Sequence, residues 1–159
     1  MLSRYFIGSL FCHLTEAYEI KFDGYRALAL RGGSETRLLS RNQKDLGSKF
    51  PEVKDSIAAL NIQDVIIDGE IVALDEKGRS SFQLLQSFDM GEDQPPIVFY
   101  AFDLLRLNGK DLTNLPIEDR KAKLEVLLKN PPGVIRYSSL SRKVFQSFWN
   151  ALANLGWKA

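Results

Sequence analysis

Apolar positions along the first two thirds of the chain mostly alternate with polar ones, or run continuously between turn residues, which predicts strands. Ala17 to Phe22 is one such run, ended by Asp23-Gly24, and Tyr25 to Arg31 is the next. Gly32-Gly33 then reads as a hairpin turn into Thr36 to Ser40. Asp64 to Leu74 is a long strand, followed by a polar, turn-like Asp75 to Gly78. Ile97 to Leu107 is another, set off by Pro95-Pro96 before it and an Asn108-Gly109 turn after it, and Val134 to Tyr137 is a short one. Helical spacing appears at Lys49 to Leu60, with Pro51 near its start and Val53, Ile57 and Leu60 on one side. Ser81 to Phe88 reads as a short helix. Ile117 to Lys129 places Ile117, Leu124, Leu127 and Leu128 on one face, and Ser141 to Leu155 reads as a last helix capped by Ser141. The pattern predicts an α+β fold: mostly antiparallel sheets flanked by helices.

Composition narrows the class without choosing a function. A chain of 159 residues, 45% of them hydrophobic, suits one domain with a real core. Collagen-like, disordered and coiled-coil classes are excluded. With 21 basic against 20 acidic side chains, the net charge of +1 creates no strong field toward nucleic acid or membrane. A local basic patch can still hide in a balanced total. The lone Cys12 cannot build a disulfide framework, which points to a reducing cytoplasm. The single histidine, His13, lies in the apolar run Tyr5 to Leu14 and reads as a packed side chain, and no Cys/His cluster suggests structural zinc. That run is about half the length of a membrane span. It reads as a buried strand or helix, or an atypical leader, rather than an export signal.

The densest chemistry lies in Glu19-Ile20-Lys21-Phe22-Asp23-Gly24-Tyr25-Arg26. If this is a strand, Glu19, Lys21 and Asp23 share one face while Ile20 and Phe22 point into a core. Gly24 lets the chain reverse and brings Arg26 back toward the same place. A lysine amine is a nucleophile only when neutral, and water holds it protonated up to about pH 10.4. Desolvation or a neighbouring cation such as Arg26 favours the neutral amine, whereas the carboxylates of Glu19 and Asp23 oppose it. The plain alternative is a surface strand with an ion-paired lysine. A second cluster lies in Asp64 to Leu74, where Asp68 and Glu70 occupy one face amid apolar neighbours. Carboxylates in such a strand need a partner or a cation. Phe102, in Phe99-Tyr100-Ala101-Phe102-Asp103, is either core or a flat face for a base.

Read together, these segments resemble the nucleotidyltransferase domain of ATP-dependent DNA ligases, most of all the bacterial end-joining (LigD-type) enzymes. That family's first motif is E-x-K-x-D-G-x-R, and the chain reads EIKFDGYR from Glu19 to Arg26. The four fixed residues of K-x-D-G-x-R arise by chance in ~0.1% of chains this long. LLSRNQKDL (Leu38 to Leu46), IDGEIVAL (Ile67 to Leu74) and FYAFDLLRLNG (Phe99 to Gly109) resemble further family segments, in the family's order. The fold so implied is an ATP-grasp-like nucleotidyltransferase domain over residues 17–159, incomplete at its C-terminus and preceded by an atypical segment 1–16.

The resemblance implies a covalent mechanism. Lys21 attacks the α-phosphorus of ATP, AMP passes to the 5′-phosphate of a DNA nick, and the 3′-hydroxyl seals the strand in repair. Glu19 would accept from the adenine amino group, Arg26 would bind ribose or the nick end, and Arg41 would contact the nucleotide. Glu70 would bind ribose or help to hold Mg²⁺ (or Mn²⁺), with Asp23 assisting, and Phe102 would stack on adenine. Nicked double-stranded DNA and end-joining proteins such as a Ku-like end binder are the implied partners. The sequence contains no E-G-[IV]-x-x-K and no W-x-K-x-K segment, which the family uses for metal and triphosphate. A truncated domain unable to ligate alone is therefore expected. The alternatives are a silent adenine-nucleotide-binding remnant, or an RNA ligase or capping-type nucleotidyltransferase.

Overall fold

A computed structural model describes residues 3–4, 18–19 and 21–139. In chain order its elements are β1 (Ser3–Arg4), β2 (Tyr18–Glu19), β3 (Tyr25–Gly32), β4 (Glu35–Ser40), α1 (Pro51–Ala58), β5 (Asp64–Ala73), α2 (Phe82–Met90), β6 (Ile97–Leu107), β7 (Lys110–Asp111), α3 (Ile117–Leu127) and β8 (Ile135–Tyr137). The chain divides into two units, residues 1–21 with 139–159, and Phe22–Ser138. In the first, β1 pairs antiparallel with β2, Ser3 opposite Glu19. The runs Tyr5 to Leu14 and Ser141 to Leu155 lie outside the described residues.

The second unit is a six-stranded sheet in the order β4-β3-β5-β6-β7, with β8 also on β6. All pairings are antiparallel except β8 with β6. Turn chemistry matches the sequence signals. Gly33, with φ +61°, opens the tight β3–β4 turn. Asn108 and Gly109, at φ +49° and +79°, turn β6 into β7, and Asp64 accepts from the Gly109 amide at 2.6 Å. Pro51 starts α1, where its missing N–H is harmless. Ser81 caps α2 by accepting from the Leu84 amide, and Gly91 ends it in the left-handed conformation.

The alternation in β5 separates the two faces of the sheet. Val65, Ile67, Ile71 and Ala73 are fully buried, in one core with Ala27, Ala29, Phe99 and Ala101 of the neighbouring strands and Val53, Ile57 and Leu85 of α1 and α2. Leu124 of α3 joins this core. The opposite face of β3, β5 and β6 carries Arg26, Asp68, Glu70 and Tyr100.

One expectation about the motif segment fails. The strand expected over Ala17 to Phe22 is described only at Tyr18–Glu19, and Lys21 to Asp23 follow no strand geometry. Strand alternation therefore does not govern these side chains. Phe22 does not enter the core: its ring stacks on Tyr100, with centroids 4.1 Å apart and planes 14° from parallel.

Candidate active site

The site face is built from three adjacent strands. In register, Arg26 of β3 lies opposite Glu70 of β5, and Glu70 lies opposite Tyr100 of β6. Directly opposed residues share a face, so these three form a row across the sheet. Asp68, two residues before Glu70, projects on the same side.

Gly24 presses the motif backbone onto β5. A Cβ there would fall on the Ile71 carbonyl oxygen and crowd Val72 Cγ1. Only glycine permits this approach, which places Tyr25 and Arg26 at the start of β3 pairing with Ile71 and Glu70. Tyr25 goes to the core side. Its hydroxyl donates to Asp89 Oδ2 at 2.5 Å, while Lys49 Nζ lies 2.5 Å from Asp89 Oδ1 and 4.6 Å from the Tyr25 ring centroid. The hydrogen bond to Asp89, then burial, then the Asp89 charge push the Tyr25 phenol from 10.0 up to about 12.

Arg26 goes to the other face and meets Asp68. Nε donates to Oδ1 at 3.1 Å and Nη2 to Oδ2 at 2.6 Å, the two-pronged geometry of a guanidinium on a carboxylate. Asp68 is 8% exposed. The guanidinium carbon also lies 5.2 Å from the centroid of the Phe102 ring. Phe102 reaches this position through a break in pairing: Asp68 opposes Asp103, yet Gly69 opposes Ala101. Phe102 is the extra residue of a bulge, a device that re-aims a side chain. Gly69 is required beside it, because a Cβ would strike the Phe99 ring and the Tyr100 carbonyl.

The structure thus gathers Arg26, Glu70 and Phe102 from the predicted residues. Phe102 is half-buried and outside the core cluster. Arg41 is exposed in the turn directly after β4, whose last residue, Ser40, lies opposite Ala27 of β3. Asp23 is exposed, its amide 3.4 Å from Ser80 Oγ. Lys21 is exposed and closes the first unit, and Glu19 is described only as the β2 residue opposite Ser3. Sequence reasoning put Asp68 on the face of Glu70 but did not select it as a site residue, because its partner is 42 positions away. It also missed the Phe22–Tyr100 stack, since alternation assumed a strand that stops earlier.

Among the described residues, no group of three or more His, Cys, Asp or Glu side chains converges as a metal cage. Mg²⁺ does not need one, since it is bound through one or two carboxylates together with phosphate oxygens and water. Asp23 is exposed and Glu70 half-buried, so water and phosphate oxygens can reach each of them.

The chain enters β3 of a helix-backed sheet through D-G-x-R and carries D-G-E on the central strand, the segments by which the sequence resembles a nucleotidyltransferase domain. The family is more particular. Residues 7–152 match the ATP dependent DNA ligase domain, and the chain belongs to that family. It is 41% identical over 114 residues to the multifunctional non-homologous end joining protein LigD of Pseudomonas aeruginosa, a match covering 71% of this chain and 14% of that protein. The crystal structure of the ligase domain of M. tuberculosis LigD superposes with a TM-score of 0.66 at 31% identity, over 77% of this chain and 39% of that one. A mycobacterial DNA ligase D complexed with ATP and MES gives a TM-score of 0.63 at 30% identity, over 77% and 40%. The chain therefore spans a small part of the length of these relatives.

Proposed function

We propose that this chain is an adenylation module: Lys21 Nζ attacks the α-phosphorus of ATP, the bond to the β-phosphate oxygen breaks, and pyrophosphate leaves. The amine loses its proton as the phosphoramidate bond to AMP forms. Covalent capture splits a difficult condensation into successive displacements and retains the energy of ATP. The observation that carries this reading is the docking of Gly24 and the residues after it onto the strand bearing Glu70, with Arg26 turned toward Phe102. On this reading Phe102 offers a face to adenine, Glu70 accepts from ribose hydroxyls, and Arg26 binds ribose or the nick end. Glu19 accepts from the adenine amino group, and Arg41 adds a cation for the nucleotide. Mg²⁺ or Mn²⁺, held by Glu70 and Asp23, would neutralise phosphate charge when bound.

The acceptor of AMP is the 5′-phosphate of nicked double-stranded DNA, in cytoplasmic repair together with a Ku-like end binder. The support is the family and the end-joining name of the LigD relative. The test is incubation of the chain with α-labelled ATP and Mg²⁺, followed by a denaturing gel. Label should stay with the protein and vanish in Lys21→Ala. A chain that never retains label, or a Lys21→Ala variant that does, would sink the reading.

A further inference from the structure

We infer that Asp68 is a positioning residue: its carboxylate sets the Arg26 guanidinium against Phe102, and nucleotide binding depends on Asp68 through Arg26. This rests on the reading that Arg26 and Phe102 receive the nucleotide.

A carboxylate in the middle of a central strand is costly unless paired. Asp68 is 8% exposed, and each of its oxygens accepts from Arg26. If the pair served only stability, an apolar pair of similar volume would do as well. The burial is also one-sided. The Arg26 side chain is 58% exposed, so the carboxylate is sunk in the sheet while the cation is presented at its surface. Three strands cooperate in this. β3 supplies Arg26, β5 supplies Asp68, and β6 is bulged at the step opposite Asp68 so that Phe102 comes under the guanidinium at 5.2 Å. A guanidinium held by its Nε and Nη2 edge has a fixed plane. An ammonium at the same position would keep the charge but lose that orientation. A flat cation beside an aromatic ring suits a ligand that is both anionic and aromatic, which is the chemistry of an adenine nucleotide triphosphate.

The test uses the full chain carrying Lys21→Ala, so that no covalent step intervenes, and reads ATP affinity by titration calorimetry. Adding Asp68→Asn should weaken ATP about tenfold, and adding Arg26→Ala by a similar factor. Adding Asp68→Asn to Arg26→Ala should weaken it no further. Arg26→Lys, at an exposed position where folding is not at risk, should bind as poorly as Arg26→Ala. In a nitrogen-15 spectrum, the Arg26 Nε–H signal should be slow to exchange and should lose that protection in Asp68→Asn. Full affinity in Asp68→Asn or in Arg26→Lys overturns the inference. So does an Asp68→Asn penalty undiminished in the Arg26→Ala background, or failure of every variant to bind ATP. Failure of the Lys21 reading looks different: no Lys21-dependent label, with the Asp68–Arg26 coupling intact.

Discussion

Gly24 and Tyr25 are adjacent, and each is held by a contact that a small substitution would remove. At Gly24 any side chain collides with the Ile71 carbonyl, a backbone atom that cannot rotate away. Gly24→Ala is expected to destabilise the chain by about 2–3 kcal/mol in urea titration, the upper range for overpacking. It should also reduce Lys21 labelling beyond the loss of folded protein. Tyr25 supplies a pH test. Its phenol is held at about 12 in the fold against 10.0 when unfolded, so the folded state keeps the proton more tightly. The Asp89 hydrogen bond therefore contributes fully below pH 10 and is lost as pH rises toward about 12. Equilibrium unfolding of Tyr25→Phe should show a flatter stability profile across that alkaline window than the parent chain.

At the scale of elements, β6 carries Tyr100 and Phe102 of the site and is held in shape by two acidic anchors. Asp64 receives Arg106 Nε at 3.0 Å and the Gly109 amide at 2.6 Å, which fixes the β6–β7 turn. Asp103 receives Arg120 Nε and Nη2, both at 2.8 Å, tying β6 to α3 just beyond the Phe102 bulge. Arg120 also donates to the Leu115 carbonyl at 2.7 Å, and its side chain and that of Asp103 are each 15% exposed. Bonding to Asp103 pushes the Arg120 pKa up. Asp103→Ala should lower stability by about 2 kcal/mol, because it strands a mostly buried guanidinium. Calorimetric melting would check this. A smaller loss, about 1 kcal/mol, is expected for Ser56→Ala. Ser56 Oγ donates to the Glu52 carbonyl at 2.7 Å and accepts from the Val134 amide at 3.1 Å, linking α1 to the approach of β8.

For the whole molecule, covalent capture of AMP is, on the proposed reading, separate from any later step on DNA. The K-x-D-G-x-R, D-G-E and F-D segments are present in the sequence. On that reading the purified chain should retain label from ATP on a denaturing gel with no DNA added, and a label that appears only when nicked duplex is supplied would contradict it. Among the described residues, no helix is long and apolar enough to cross a membrane.

Local signals in the sequence determined the elements. Alternation drew β5 and β6, Asn108-Gly109 drew the β6–β7 turn, and Gly32-Gly33 drew the β3–β4 turn. Motifs in the family's order pointed to the family by themselves. Helix periodicity was less complete: α3 buries Lys121, which donates to the Ser138 carbonyl at 3.2 Å, where the pattern had allowed only apolar residues on that face. Tertiary structure alone decided three things: which cation Asp68 would hold, that Phe22 would lie on Tyr100, and that a bulge would turn Phe102 toward Arg26. The physical reason is range. Propensity and periodicity act over a few residues, whereas strand register joins positions tens of residues apart and is set by the packing of the whole sheet.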